Sequence, residues 1–243
     1  MEMTGTTVVR PGRGRRAGEA SAGEPFREAR RELTGVTARV EERALAWLAA
    51  RTPGWVGPDH LTGLGLLAMA LAGLFYAASA RFPGMLLGVN LALVLNWLGD
   101  SLDGTLARHR GKLRPRWGFY VDHLVDAVGA LFLLGGMALS GLVSPPVAAI
   151  LLIAYYLLNL EIYLATYTLG RFRISYGRVG GTELRILLAA LNLGALAWPS
   201  VEVLGRSVRL LDLVGLGGAF ALVITLAGTA VRNGRELYRQ ERI

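Results

Sequence analysis

Four aspartates in two short segments are the residues best able to do chemistry in this chain. Asp100 and Asp103 are three positions apart, and Asp122 and Asp126 are four positions apart. Residues at these spacings are neighbours on one face of a helix. Two such faces in contact would form a cluster of four carboxylates, which needs neutralisation. Oxygen ligands without His or Cys favour a hard cation, so the pattern predicts two Mg²⁺ ions, with Mn²⁺ as a substitute.

Small and basic residues accompany these aspartates. Gly104 follows Asp103 and Gly118 lies one turn before Asp122, so the backbone is bare at both places where a ligand would approach. The loop between the two segments contains five basic residues suited to phosphate binding: Arg108, Arg110, Lys112, Arg114 and Arg116. Metals, phosphate-binding side chains and apolar flanks together predict phosphoryl transfer on a lipid. Simple interfacial ion pairs are the alternative, which four aspartates in register with two glycines disfavour.

Long apolar runs must position these residues. Hydrophobic residues make up 53% of the 243-residue chain, and they occur in runs near 20 residues long, as a membrane-spanning helix requires. The predicted fold is an all-α integral membrane protein with six transmembrane helices, preceded by an N-terminal amphipathic interfacial helix. The six predicted spans are 62–80, 83–103, 117–141, 144–169, 182–199 and 210–231. The acidic pairs fall at the end of the second span and the start of the third, which a short loop makes antiparallel neighbours.

The chain divides into three predicted parts. Residues 1–24 are a Gly- and Arg-rich segment, predicted to be a disordered basic tail. Residues 25–57 are predicted to form the amphipathic region, and 58–243 the six-span domain. Apolar residues of the second part recur at helical spacing, namely Val36, Val40, Ala44, Trp47 and Leu48. Such a helix suits the membrane interface, and packing against a partner is the alternative.

The basic residues predict the orientation. With both termini and the 104–117 loop on one side, 23 of the 26 Lys and Arg residues lie there, and Arg81, Arg206 and Arg209 lie on the other. The positive-inside rule then makes that side cytoplasmic, in a multi-pass protein of the cell's inner membrane whose active site faces the cytoplasm. Topology therefore explains the net charge of +8 without a nucleic-acid partner. The absence of Cys excludes disulfides, thiolate nucleophiles and Cys-ligated metals.

The spacing of the acidic segment resembles the signature of the CDP-alcohol phosphotransferases, integral membrane enzymes of phospholipid synthesis. The resemblance extends over roughly residues 35–243. Eight residues match at fixed offsets: Asp100, Asp103, Gly104, Ala107, Arg108, Gly118, Asp122 and Asp126. The family often has Pro-Asn-x-x-Thr at the start of its first span, where this chain has Pro58, Asp59 and Thr62, with Asp in place of Asn.

The resemblance implies a role for each matched position. Asp100, Asp103 and Asp122 would bind metal, and Asp126 would bind metal and act as general base. Gly104, Ala107, Arg108 and Gly118 would shape the nucleotide site. Thr62 would contact the nucleotide, as would Asp59, although Asp59 departs from the family's Asn. The family also implies a homodimer that takes a CDP-linked lipid or alcohol and an acceptor alcohol, and releases CMP.

The acceptor is left open by the sequence. His123 directly follows Asp122, similar to the Asp-His sequence of choline and ethanolamine phosphotransferases, whose acceptor is a diacylglycerol. His123 is either a second proton acceptor or a helix residue turned about 100° away from Asp122. Arg173, Glu183 and Arg185 are candidates for the polar head of an acceptor, with snorkelling arginines as the alternative. Thr182 is predicted to cap the fifth span.

Three functions remain after these observations. The leading one is a phosphotransferase acting on a CDP-alcohol such as CDP-diacylglycerol. A second is a choline- or ethanolamine-type enzyme that acts on a diacylglycerol. A third, of another class, is a cation transporter whose acids form the ion path. A transporter would place its acids near the bilayer midplane on broken helices, whereas all four aspartates here lie toward one face.

Overall fold

The computed structural model describes residues 38–169 and 180–241. The predicted tail at 1–24, the first part of the amphipathic region at 25–37 and the candidate acceptor residue Arg173 lie outside the described residues.

The described residues form seven α-helices and one β-hairpin. In chain order these are α1 Ala38–Arg51, α2 Pro58–Ser79, α3 Met85–His109, α4 Pro115–Leu139, α5 Pro145–Leu169, α6 Gly181–Ala197, β1 Ser200–Val203, β2 Arg206–Arg209 and α7 Leu210–Gln240. Three of the long helices begin at a proline, at Pro58, Pro115 and Pro145, where the missing N–H costs no hydrogen bond.

The six predicted spans each overlap one of the helices α2 to α7. Five of these, all but α6, are long and apolar enough to cross a membrane by length and composition. Helix α6 has 17 residues, at the lower limit for a membrane span. Apart from the hairpin, the regular structure of the described residues is therefore helical, as in an integral membrane protein, and the sixth span stays a prediction.

Glycines bring the backbones of three helices together. A Cβ atom on Gly99 of α3 would lie 2.6 Å from the Gly65 nitrogen and 2.6 Å from the Leu61 oxygen of α2. A Cβ atom on Gly136 of α4 would collide with the carbonyl of Gly73 on α2. Close backbone approach at small residues is how helices associate inside a membrane. The second and third spans are thus both held against α2.

Helix α1 packs on the end of the bundle that carries the aspartates. Leu45 and Ala49 are 6% and 2% exposed, and they pack in one cluster with Leu102 and Leu106 of α3. Of the predicted apolar face, Trp47 is 55% exposed, whereas Leu48 packs beside this cluster. The helix is present from residue 38, with part of its predicted apolar face open and part packed on the protein. Its location in the membrane interface stays a prediction.

The opposite end of the bundle carries the hairpin, which the sequence analysis missed. Strands β1 and β2 are antiparallel, and the connecting Leu204 and Gly205 have φ angles of 52° and 75°. Two positive φ values are typical of the turns that suit a two-residue hairpin loop. At the same end, Asp212 Oδ1 accepts a hydrogen bond of 2.6 Å from the Ser144 N–H and so joins the starts of α7 and α5.

Candidate active site

Asp103 is the most enclosed of the four aspartates. Its side chain lies near the end of α3 and the residue is 8% exposed. Its Oδ2 accepts a 2.7 Å hydrogen bond from Thr62 Oγ1, and its Oδ1 accepts one of 2.5 Å from the Gly104 N–H. The predicted nucleotide residue Thr62 therefore contacts the acidic cluster itself. Thr62 lies in the first turns of α2, so the start of α2 contacts the end of α3 at this point.

Asp100 is held by a basic residue from α6. Arg185 donates from Nη2 to Asp100 Oδ2 at 2.7 Å and from Nε to Asn96 Oδ1 at 2.8 Å. Asn96 in turn donates from Nδ2 to the Gly65 carbonyl at 3.1 Å. The candidate acceptor residue Arg185 thus lies directly on a predicted metal ligand, and it joins α6 to α3.

Asp122 and Asp126 lie on α4 and are both exposed. Asp100 and Asp103 lie one turn apart near the end of α3, and Asp122 lies near enough to act electrostatically on the carboxyl group of Asp103. Asp126 acts on two tyrosines of α5, Tyr155 and Tyr163. The described residues contain no group of three His, Cys, Asp or Glu side chains arranged closely enough to form a finished metal centre. The type of side chain nevertheless fits a metal site, because carboxylate oxygens are the ligands that a hard divalent cation prefers.

The glycine and arginine positions of the motif lie beside this cluster. A Cβ atom on Gly104 would lie 3.7 Å from Arg108 Nη1, so the Arg108 guanidinium lies over the bare glycine. Arg108 also donates from Nη2 to Thr105 Oγ1 at 3.2 Å. No described atom lies within 4 Å of a Cβ built on Gly118, so this position is open. Ala107, by contrast, is buried in the packing of α3.

Arg110 and Arg114, two of the five basic loop residues, contact the segment that joins α1 and α2 or the start of α2. Arg110 binds the carbonyl groups that follow α1, donating to Val56 at 2.5 Å, to Thr52 at 2.9 Å and to Pro53 at 2.8 Å. Arg114 forms an ion pair with Asp59 at the start of α2. These contacts fasten the α3–α4 loop to the α1–α2 connection. Asp59, a candidate nucleotide contact, is thus already paired with a basic residue.

The ring of His123 is packed between aromatic neighbours. Its centroid lies 4.2 Å from that of Phe119 and 5.1 Å, edge to face, from that of Tyr163 on α5. His123 Nδ1 lies 2.5 Å from the Phe119 carbonyl oxygen, and because a carbonyl only accepts, Nδ1 is the donor. Tyr156 donates to the Ala127 carbonyl at 2.9 Å and fixes α5 against α4 nearby. His123 therefore faces a neighbouring helix of the bundle.

The first turn of α6 corrects one prediction and qualifies another. The N-cap residue is Gly180, so the expectation that Thr182 caps this helix is wrong. Glu183 Oε2 accepts a 2.9 Å hydrogen bond from the Gly180 N–H, as the third residue of a capping box does. This contact gives Glu183 a structural role at the helix start. Its predicted contact with an acceptor stays a prediction.

Glu41 of α1 is the main residue that the sequence analysis missed. One oxygen, Oε1, accepts hydrogen bonds from Trp97 Nε1 at 2.9 Å, Ser101 Oγ at 3.2 Å and Thr182 Oγ1 at 2.9 Å. The sequence analysis used only the apolar residues of this helix. Asn96 was also missed, although a polar residue one turn before Asp100 inside a span is a usable signal.

Comparisons with known proteins show which family the sequence matches. The family model for CDP-alcohol phosphatidyltransferases matches residues 55–230. Archaetidylinositol phosphate synthase of Pyrococcus horikoshii is 34% identical over 105 residues, which are 43% of this chain and 52% of the relative. Cholinephosphotransferase 1 of Gallus gallus is 28% identical over 200 residues, 76% of this chain and 56% of the relative. The chain spans about half the length of these curated relatives. Because the family model covers well over half of the chain, the protein belongs to the CDP-alcohol phosphatidyltransferase family.

Proposed function

We propose that this protein transfers a phospho-alcohol group from a CDP-alcohol, such as CDP-diacylglycerol, to an acceptor hydroxyl and releases CMP. The observation that carries the proposal is that Asp100 and Asp103, near the end of α3, lie close to the start of α4, which carries Asp122, at one end of a membrane helix bundle. Membership of a family of CDP-alcohol phosphatidyltransferases supports it, and disfavours the cation transporter. Both curated relatives are named for phosphate-transfer or phosphate-ester synthesis reactions.

Divalent metal ions are the cofactors of this family. In our proposal two Mg²⁺ ions, replaceable by Mn²⁺, are held by Asp100, Asp103, Asp122 and Asp126. Bound there, the ions would neutralise a pyrophosphate and polarise its phosphorus–oxygen bonds. The chain prepares its ligands in advance, because Thr62 and the Gly104 N–H orient Asp103.

The nucleotide would bind beside the end of α3. The glycine surface at Gly104 lets a phosphate approach the helix, and Arg108 above it supplies a positive charge with several donors. Gly118 leaves comparable space at the start of α4. Ala107 acts indirectly, since it is buried and sets the packing of this turn. Thr62 and Asp59 place the start of α2 at the same site, through Asp103 and Arg114 respectively.

Asp126 is the proposed general base. It is exposed and lies one turn after Asp122, so the acceptor can approach it from outside the bundle. The acceptor hydroxyl gives its proton to the Asp126 carboxylate while its oxygen attacks the phosphorus distal to cytidine. The bond between that phosphorus and the bridging oxygen breaks, and CMP leaves with the bridging oxygen.

Two acceptor classes are compatible with this site. A phosphate-bearing polar alcohol would use Arg185 and Arg173, with Glu183 as a polar neighbour. A diacylglycerol is the second candidate, and the observation that favours it is His123, which lies among aromatic rings on the α5 side of α4. The two curated relatives carry names of both kinds, one a synthase of an inositol phosphate lipid and one a cholinephosphotransferase.

The cellular setting belongs to the same proposal. We place the protein in the cytoplasmic membrane as a homodimer, with both termini and the acidic cluster on the cytoplasmic side. The support is the distribution of Lys and Arg, since 23 of 26 lie on that side of the predicted topology. Fusions of a cytoplasm-only reporter to each terminus test this, and a terminus found outside contradicts the six-span topology.

The test of the function is CMP release by the purified chain in lipid nanodiscs. Labelled CDP-diacylglycerol is offered with inositol phosphate, glycerol phosphate or serine, and labelled CDP-choline with diacylglycerol. We expect release that requires both Mg²⁺ and one of these acceptors, and the productive pair identifies the substrate class. Absence of release from every pair contradicts the proposed function.

A further inference from the structure

Glu41 connects three helices at the end of the bundle that carries the aspartates. It belongs to α1, two of its donors, Trp97 and Ser101, belong to α3, and the third, Thr182, belongs to α6. Hydrogen bonds to a charged acceptor are stronger than those between neutral groups. Glu41 therefore joins α1, α3 and α6 at one point.

The residues bound by Glu41 frame the Asp100–Arg185 ion pair. On α3, Trp97 and Ser101 lie three positions before and one position after Asp100. On α6, Thr182 lies three positions, just under one turn, before Arg185. The Glu41 carboxylate thus holds the same turn of α3 that carries Asp100 and the same turn of α6 that carries Arg185. Arg185 then reaches Asp100 at 2.7 Å.

The far half of α6 is held to α3 by separate contacts. Asn192 donates to Asn90 Oδ1 at 2.8 Å, and Asn90 donates to the Ala189 carbonyl at 3.2 Å. These bonds lie in the second half of α6, so they do not fix its first turn. The position of the first turn depends on the contacts made there. Loss of Glu41 should therefore move the first turn of α6 without separating the two helices.

We propose that Glu41 is a positioning residue that sets Arg185 against Asp100 and so governs how readily the acidic cluster takes up a divalent cation. The proposal rests on the proposed function in treating Asp100 as a metal ligand. Arg185 competes with a cation for the Asp100 carboxylate, because both are positive and share one acceptor. It also holds that carboxylate in one orientation. Helix α1 is by this argument part of the active site.

This arrangement predicts two opposite effects from one substitution. In Glu41→Ala, Arg185 is no longer fixed on Asp100, so Mn²⁺ should bind at least about threefold more tightly through reduced repulsion. The kcat should nevertheless fall about tenfold, since a ligand displaced by a fraction of an ångström loses productive geometry. A substitution that only loosens the fold would instead weaken Mn²⁺ binding and lower kcat together.

The experiment uses the full chain in nanodiscs, with Mn²⁺ binding followed by electron paramagnetic resonance and CMP release assayed alongside. Glu42→Ala is the matched control, because Glu42 is the exposed neighbour of Glu41 on the same helix. It should leave the Mn²⁺ dissociation constant and kcat within about twofold of the wild-type values. Weaker Mn²⁺ binding by Glu41→Ala, or a value equal to that of Glu42→Ala, overturns the proposal.

Thr182 supplies a milder pair of variants in case Glu41→Ala does not fold. Thr182→Val keeps the side-chain shape but removes the hydroxyl that donates to Glu41, and it should shift Mn²⁺ affinity in the same direction as Glu41→Ala. Thr182→Ser keeps the hydroxyl and should restore the wild-type value. Equal behaviour of the Val and Ser variants contradicts a role for this hydrogen bond.

A double-mutant cycle tests whether Glu41 acts through Arg185. Arg185→Gln should also tighten Mn²⁺ binding, and adding Glu41→Ala to it should change the affinity by less than about 1.5-fold, because the two substitutions remove one effect. Additive effects overturn the proposal. Wild-type protein that binds Mn²⁺ but releases no CMP contradicts the proposed function alone, whereas protein that binds no Mn²⁺ contradicts both.

Discussion

The two ends of α3 are held in place by different kinds of contact. Toward the far end, Leu86 and Val89 are 1% and 0% exposed within the main apolar core, and the buried Tyr76 hydroxyl donates to Asn192 at 2.6 Å. Toward the site end, Asp100 and Asp103 are held by an arginine, a hydroxyl and a backbone N–H. The far end is fixed by packing and neutral hydrogen bonds, whereas the site end combines the apolar cluster around Leu106 with bonds to charged groups that also have to bind ligands.

That difference separates stability from activity along a single helix. Buried neutral networks that are fully satisfied stabilise one structure and do little else. Charged groups at the site end are costly to place in a membrane protein unless they serve a function. Substitutions at the site end should therefore change turnover more than stability, and substitutions at the far end should do the reverse.

The largest effect is expected at the two aspartates of α3. Asp100→Asn and Asp103→Asn keep the side-chain shape but remove the negative charge and leave one neutral oxygen to bind a cation. We expect kcat to fall by about 10³-fold or more in each, with thermal unfolding within a few degrees of the wild type. Chelation of the wild-type protein with EDTA should abolish turnover in the same way. Substantial activity in either variant, or in EDTA, contradicts the two-metal proposal.

A smaller loss is expected at Asp126, which separates the base from the other ligands. Asp126→Asn keeps one oxygen ligand but cannot take a proton, so kcat should fall by about 10²-fold while the CDP-alcohol and metal still bind. Binding of the labelled CDP-alcohol, measured without an acceptor, reports substrate binding separately from CMP release.

His123→Ala is the comparison for that variant. If His123→Ala abolishes turnover while Asp126→Asn does not, the proton acceptor is His123 rather than Asp126. The edge-to-face contact with Tyr163 would then orient the base, and diacylglycerol would become the favoured acceptor.

The far half of the bundle offers a test of stability alone. Gly136→Ala on α4 forces a methyl group against the Gly73 carbonyl, and overpacking of this kind costs about 1–3 kcal/mol of unfolding free energy. Gly135→Ala is the control, since no described atom lies within 4 Å of a Cβ at that position. Denaturation in lipid or mild detergent should show the loss for Gly136→Ala only. The activity of the folded fraction should be retained in both variants.

The sequence located the helices of the bundle but not all of their ends. Helix α3 continues to His109 and α7 to Gln240, beyond the predicted span limits of 103 and 231. Hydropathy reports where a chain leaves the membrane, and charged residues do not by themselves end a helix. The helix starts were predicted more closely, since α2 begins at Pro58 against a predicted 62 and α5 at Pro145 against a predicted 144. Proline at both positions marks the first turn by its own geometry.

In the candidate site, residues defined by spacing within a helix were predicted, and a residue defined by contacts between helices was not. The acidic pairs and Gly104 follow from spacing within one or two helices, and the structure places Asp122 within electrostatic range of Asp103. The role of Glu41 could not be predicted, because helical periodicity identifies a polar face but not which donors on other helices contact that face. The two-residue turn of the hairpin carried only a weak sequence signal. Gly205 suits such a turn, but leucine, as at Leu204, is unusual at a positive φ.

The smallest expected effect concerns that turn, at the end of the bundle remote from the aspartates. Leu204 has a φ of 52° and is 99% exposed, so its side chain adds strain without packing. Asparagine tolerates this conformation better, and Asn-Gly is the favoured pair for such a turn. Leu204→Asn should therefore raise the unfolding free energy by about 0.5–1 kcal/mol. Because the hairpin lies at the far end, kcat and the Mn²⁺ dissociation constant should stay at their wild-type values. A change in either would mean that the two ends of the bundle are coupled, and the separation of stability from activity would then be wrong.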